Sequence, residues 1–351
     1  MTMFPEELDR GYRIQAAACR NLGSAFSGDL LERAADGALG DLTSLHQPWL
    51  DVSTRKTFED ATPLRFLGAL HHLTLTGAAP DLAAQYPAAA PDTDWPALIG
   101  AAKQAVVEHH GAIATFMTSP PQTNEVRRSL CLVGGYLTLA AATGLPLRCL
   151  EIGASAGLNV NWDRYAYSFG EATWGNRASP VQIAGEWEGP PPPLPAATVA
   201  ERQACDVAPV EITDEANALR LQAYVWPDQL DRLARLRAAI GVARQSGLHV
   251  EKADAAEWVS RRLAPRDGVA TVLVHSVMWQ YMPAETQASI LATLARAAAA
   301  ATPAAPVAHL SMEPDPANMA QMQVRLTVWP GGVEKRLAEV HPHGASVRWL
   351  A

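Results

Sequence analysis

The fold turns on one stretch: Leu147-Arg-Cys-Leu-Glu151-Ile152, then Gly153-Ala154-Ser155-Ala-Gly157-Leu-Asn159. A short, mostly apolar run that stops at a glycine reads as a buried strand entering a tight turn. Further strand candidates follow at 200–206, 248–251, 269–274 and 307–312. Helical patterns separate them, through 219–224, 230–240, 255–263 and 284–300. Alternating strand and helix is the signature of a doubly wound parallel sheet, so the expected fold class is α/β and Rossmann-like. Two more strands, 323–329 and 333–340, flank Pro330-Gly-Gly332 as a hairpin, and a last one falls at 346–350.

Upstream of this stretch the pattern is helical. Ser27 is placed to cap a helix through Leu30-Leu31-Glu32-Arg33, and Thr62-Pro63 reads as a cap with proline at the first helical position. Leu64, Leu67, Leu70, His71 and Leu75 then share one face. Asp94-Trp95-Pro96 opens a helix towards Met117, Ser119-Pro-Pro121 breaks it, and Thr123 or Asn124 caps another over 125–142. No strand pattern or internal repeat interrupts this part. The expected organisation is a helical cover domain over 1–145 and an α/β domain over 146–351. The latter carries a Gly/Pro/Trp-rich insertion at about 170–198.

The chain has 351 residues, 28 basic against 36 acidic, for a net charge of −8, and 48% of them are hydrophobic. That apolar content excludes intrinsic disorder, and the acidic balance without a Lys/Arg block argues against nucleic acid as a partner. Cys19, Cys131, Cys149 and Cys205 are scattered without a Cys-x-x-Cys pair, which reads as buried thiols in a reducing compartment. Leu130 to Leu147 is free of charge, but its glycines, threonines and Pro146 suit a buried helix and turn better than a membrane span. With an acidic N-terminus that lacks an apolar signal core, a cytoplasmic protein acting on a small molecule is expected.

The glycine turn resembles motif I of class I S-adenosylmethionine-dependent methyltransferases, an acidic residue followed by alternating glycines, with Ser155 in the middle glycine's place. The closing hairpin is expected to complete a seven-stranded sheet with one reversed strand, as in that class. On this resemblance the methyl donor is the expected cofactor, held by Glu151, Gly153, Ala154, Ser155, Gly157 and Asn159. Gly153 and Gly157 would let the backbone approach the methionyl part, and Glu151 would attract positive charge. In open α/β sheets ligands sit beyond the carboxyl ends of the strands. Asp206 stands where the ribose hydroxyls would be held, although far along the chain from the turn. Asp254 and Ala255 stand where the adenine would lie, and His275 follows the fourth strand. Taken singly, each acid also reads as a helix cap.

Gly153-Ala-Ser155-Ala-Gly157 equally fits the nucleophile elbow of α/β-hydrolases. Ser155 would then be the nucleophile. Asp206, Asp228 or Asp254, followed by His275, His341 or His343, would complete a triad. The missing strands before the elbow and the missing His-Gly-Gly-Gly segment speak against it. A third reading is a non-catalytic, ligand-binding relative of the methyltransferase fold. No His-Glu-x-x-His spacing or phosphate-loop pattern occurs, and no metal site is expected.

Gln122-Thr-Asn-Glu-Val126, Trp162-Asp-Arg-Tyr165, Cys205-Asp-Val-Ala-Pro209, Tyr224-Val-Trp-Pro-Asp-Gln229 and His275-Ser-Val-Met-Trp-Gln-Tyr281 join the glycine turn in a resemblance to domain of unknown function 2332, an uncharacterised bacterial family. The resemblance implies one architecture, a helical front plus a methyltransferase-like sheet. A helix that feeds a parallel strand starts at the carboxyl edge of the sheet. Gln122, Asn124 and Glu125 are therefore expected near the mouth of the site. His275 is the expected base, since an imidazole accepts a proton near neutral pH. Glu125, Tyr165 and Tyr281 are candidates for acceptor contacts.

Overall fold

A computed structural model describes residues 4–351. The chain forms two units: the residues up to Thr123 with Asp214–Ala234, and Asn124–Thr213 with Arg235–Ala351. The division falls earlier than the expected 145/146, and a short later segment returns to the helical unit.

The helical unit holds α1 (Glu6–Asn21), α2 (Ala25–Ala35), α3 (Thr54–Glu59), α4 (Thr62–Leu75), α5 (Pro80–Ala83), α6 (Trp95–Glu108), α7 (His110–Met117) and, after the sheet has begun, α9 (Glu215–Ala223). Leu8, Tyr12, Ala16 and Cys19 recur along α1 at 3–4 spacing and are buried with Leu30, Leu31, Phe66 and Leu70. Burial of each of these leucines and of Phe66 contributes about 1.5–3 kcal/mol. Three caps differ from expectation. Ser24, not Ser27, caps α2, with its Oγ accepting the Ser27 N–H at 3.2 Å. α4 is entered through Ala61 at φ 51° and not through a Thr62 cap. The helix expected to run from Trp95 to Met117 breaks at His109, while Asp94 caps its start.

In the other unit α8 (Arg128–Thr143) leads to β1 (Leu147–Ile152). The expected insertion has structure of its own: β2 (Ala166–Phe169), β3 (Ala172–Gly175) and β4 (Gln182–Ile183) form a small sheet, and β5 (Glu186–Glu188) joins the large one. Then come β6 (Val199–Asp206), α10 (Leu230–Ser246, which begins in the helical unit), β7 (Val250–Lys252), α11 (Ala255–Arg262), β8 (Ala270–Ser276), α12 (Ala284–Ala299) and β9 (Val307–Asp315). The chain ends in β10 (Asn318–Trp329), β11 (Val333–Val340) and β12 (Ser346–Trp349).

The large sheet runs β5-β12-β11-β10-β9-β8-β1-β6-β7. It is a mixed, mostly parallel sheet of nine strands, not seven. From β7 to β9 every pairing is parallel, in the doubly wound order. Beyond β9 the chain folds back as a sequential meander, so that β10, β12 and β5 run against the parallel set where one reversed strand was expected. The reason is local: short turns such as 330–332 can join only antiparallel neighbours. One sheet face packs on α8, where Gly134 and Gly135 admit Trp349 and Leu310. On the other, Leu150, Ile152 and Leu273 pack with Trp258, Ile290 and Leu294 of α11 and α12.

Candidate functional site

β1 delivers Glu151 and the glycine turn to the carboxyl edge. Gly153, Ser155 and Gly157 all take positive φ, 65°, 54° and 68°. The turn is stitched to its neighbours through the backbone. Ala154 N–H donates to Cys205 O at 3.1 Å, and Ser155 N–H donates to Asp206 Oδ2 at 2.8 Å. The other Asp206 oxygen accepts the Ala208 N–H at 2.9 Å. Asp206 therefore braces the turn from the end of β6. The glycines serve differently from expectation. A Cβ at Gly153 would meet Met278 at 2.8 Å, and one at Gly157 would meet Leu248 and Val250 at 2.8 Å. Their bare sides face the side chains of Met278, Leu248 and Val250.

The start of α8 lies beside this turn. Asn124 Oδ1 accepts the Leu158 N–H at 3.0 Å, and Asn159 Nδ2 donates to Glu125 O at 3.2 Å. Asn124 is thereby drawn off from capping, so α8 begins only at Arg128 and has no side-chain cap. Glu125 is buried and its Oε1 accepts the Arg127 N–H at 3.0 Å. Gln122 belongs to the helical unit.

Several buried acceptors here meet no donor among the described residues: Glu151 Oε2, Ser155 Oγ and Asn159 Oδ1. Such atoms are costly unless something satisfies them. Burial pushes the Glu151 carboxyl up to about 8, reinforced by Asp206 and opposed by Arg128. At neutral pH it holds its proton unless positive charge arrives.

Beyond β8 the structure builds a chain of groups. His275 Nδ1 lies 2.8 Å from Glu313 Oε1, and His275 Nε2 lies 2.9 Å from His309 Nε2. A carboxylate only accepts, so in neutral His275 the proton sits on Nδ1, and His309 donates to the bare Nε2. Burial, then the neighbouring His275, push His309 down to about 3. Glu313 Oε1 also accepts the N–H groups of Met278 and Trp279, at 3.2 and 3.4 Å, and Trp279 stacks on His275 at 4.7 Å. His275 is 2% exposed with both ring nitrogens engaged, so it orients Glu313 and does not itself face a ligand as a base.

Three other candidates have plainer roles. Tyr165 is fully buried and its hydroxyl donates to Leu158 O at 2.6 Å, which removes it from the acceptor contacts. Asp254 caps α11 by accepting the N–H groups of Ala256 and Glu257, and Ala255 is simply the first helical residue. Tyr281 is 76% exposed. For the nucleophile elbow, the left-handed Ser155 is the favourable feature. Its Oγ meets no histidine among the described residues, however, and a 3₁₀ turn (Asn159–Arg164) follows where the elbow needs an α-helix. Asp228 is used within the helical unit, accepting from Ser24 Oγ at 2.5 Å and from the Phe26 N–H at 3.1 Å. His341 Nδ1 accepts the His343 N–H at 3.1 Å. Among the described residues no group of three or more His, Cys, Asp or Glu side chains is arranged to hold a metal ion, and no helix is long and apolar enough to cross a membrane. All four cysteines are free and buried.

Sequence reasoning missed Glu313 and His309. Their signal was present in Val307-Ala-His-Leu-Ser-Met-Glu313, where polar residues alternate with apolar ones. Period 2 puts His309, Ser311 and Glu313 on one face of β9.

The molecule is thus a doubly wound α/β protein with an acceptor-rich site at the carboxyl edge of its sheet. The chain belongs to the family described as "Uncharacterized protein conserved in bacteria (DUF2332)", which matches residues 9–349. No curated protein and no solved structure matches it.

Proposed function

We propose that the carboxyl edge binds S-adenosylmethionine and that the protein transfers its methyl group to a small molecule. The observation that carries this reading is the acceptor set at the glycine turn. Glu151 Oε2, Asn159 Oδ1 and Ser155 Oγ are buried without donors, beside an Asp206 that closes the end of β6. S-adenosylmethionine brings the complementary groups: an ammonium, two ribose hydroxyls and an adenine amine. The parallel order β7-β6-β1-β8-β9 supports the reading, because its reversal beside β1 opens a ligand crevice in this fold class.

Glu151 would take the ammonium and give up its proton as it did so. Asp206 would accept the ribose hydroxyls while still holding the Ser155 N–H. The bound cofactor would supply an electrophilic methyl group, and the groups beyond β8, Glu313 among them, would position the acceptor. Met278 lies over Gly153 and would have to turn aside, a small step for an unbranched side chain. Isothermal calorimetry with S-adenosylmethionine and S-adenosylhomocysteine tests the reading. One site per chain is expected, and absence of binding by the pure protein overturns it.

A further inference from the structure

Glu313 carries more than the positioning of a loop. Its Oε1 gathers three N–H donors, from His275, Met278 and Trp279. Its Oε2 is buried and has no partner among the described residues, and neither Lys nor Arg pairs with it there. The carboxylate is thus held by one oxygen and unpartnered at the other among the described residues.

The loop that holds it is strained. Val277 sits at φ 54°, where a β-branched side chain is a true outlier, and its N–H is tied to Met312 O at 2.9 Å. Such strain persists only where the surroundings enforce it, and it clusters at ligand sites. It lets Met278 and Trp279 point their N–H groups at one carboxylate oxygen. Aromatic surface lies next to Glu313: Trp279, part-exposed, stacks on His275 and donates its backbone N–H to Glu313 Oε1. A fixed carboxylate beside an indole ring is the chemistry that recognises a cationic nitrogen, by charge-assisted hydrogen bond and by cation–π attraction.

We infer that Glu313 is the ligand-binding carboxylate of the β8–β9 edge, and that its Oε2 takes the protonated nitrogen head of a small amine. His275 is a positioning residue that fixes Oε1, and His309 fixes the His275 tautomer. If the edge also transfers methyl groups, this amine is the acceptor: it passes a proton to Glu313 Oε2, its freed lone pair takes the methyl group, and S-adenosylhomocysteine leaves as the thioether. The claim about Glu313 does not depend on that.

The probes are benzylamine, phenethylamine and methylguanidine, each against the neutral counterpart of its shape: benzyl alcohol, 2-phenylethanol and methylurea. Affinities come from ligand-observed NMR titration of the full chain. At least one cation should bind tenfold or more tightly than its neutral counterpart, and Glu313→Gln should abolish that preference without changing affinity for S-adenosylhomocysteine. A second measurement needs no variant. In the wild-type protein, methylguanidine or the N,N-dimethyl form of the preferred arylalkylamine, neither of which can itself be amidated, should protect Glu313 from carbodiimide-driven amidation by glycinamide, read by mass spectrometry on the peptide that contains it. No preference for any cation, a preference that survives Glu313→Gln, or Glu313 labelled equally with and without the cation would overturn the inference. Loss of S-adenosylhomocysteine binding by the wild type would instead count against the methyl-transfer reading alone.

Discussion

Each unit buries a histidine on a short polar chain, and the two chains finish differently. In the helical unit His46 is closed at both nitrogens: Nε2 lies 2.6 Å from Tyr12 Oη and Nδ1 lies 2.8 Å from Leu42 O. Nothing is left over, and burial pushes the imidazole down to about 4. In the sheet unit His275 is closed as well, but the chain continues to a carboxylate whose second oxygen has no donor among the described residues. The first arrangement is complete as a packing element. The second is complete only with something added. Other unmatched atoms point the same way. Those of the helical unit include single hydroxyls such as Ser27, Thr57 and Thr62, whereas the sheet unit strands one oxygen of the Glu313 carboxylate and one of the protonated Glu151 carboxyl. A hydroxyl can be served by one water, but a buried carboxylate oxygen asks for a cation or several donors.

After the Glu313 experiment, the largest effect that would sharpen this contrast is its pH dependence. His46 titrates near 6.5 when unfolded and near 4 when folded. Between those values the unfolded chain binds the extra proton, so the helical unit should lose stability as pH falls from 6.5 towards 4. The loss should be on the order of 3 kcal/mol. Glu151 works the other way. Its carboxyl is raised from 4.5 to about 8, so its contribution is present below 4.5 and is lost as pH rises through 8. Hydrogen exchange of amides in each unit, at pH 5 and pH 8, reads both. Glu151→Gln should remove the loss at high pH from the sheet unit and leave the helical unit's acid sensitivity in place. If both units respond alike, the contrast fails.

Next in size is Tyr12→Phe. It deletes the donor to His46 Nε2 and leaves a buried acceptor unmet, at a cost of about 1–3 kcal/mol in urea unfolding. A change within error would mean that the His46 chain is not closed as described. Asp254→Ala should cost about 1 kcal/mol, the usual worth of a helix cap. If Asp254 only caps α11, the substitution should leave S-adenosylhomocysteine affinity unchanged. A tenfold loss would return it to the adenine site.

The sequence spelled out the parallel half of the sheet because its central strands are short, mostly apolar runs and helical patterns alternate with them. Leu147–Ile152 and Ala270–Ser276 are buried at every position. The tail was legible as strands but not as an order, since periodicity names faces and not neighbours. The start of α8 was misread because the side chain and backbone of Asn124 and Glu125 are spent on the glycine turn, a contact formed only in three dimensions. His275 stood out as a histidine at a strand end. Glu313 did not, because its role depends on a β8–β9 register that places His275 opposite Ser311. The division of the chain was hidden for a similar reason, since Asp214–Ala234 rejoins the helical unit after more than one strand of the sheet has formed.

The most direct test of the central claim is calorimetric titration of S-adenosylhomocysteine into the wild-type protein and into Asp206→Ala. The account expects one site per chain, weakened at least tenfold by the substitution. No binding by the wild type, or equal binding by both proteins, would contradict it.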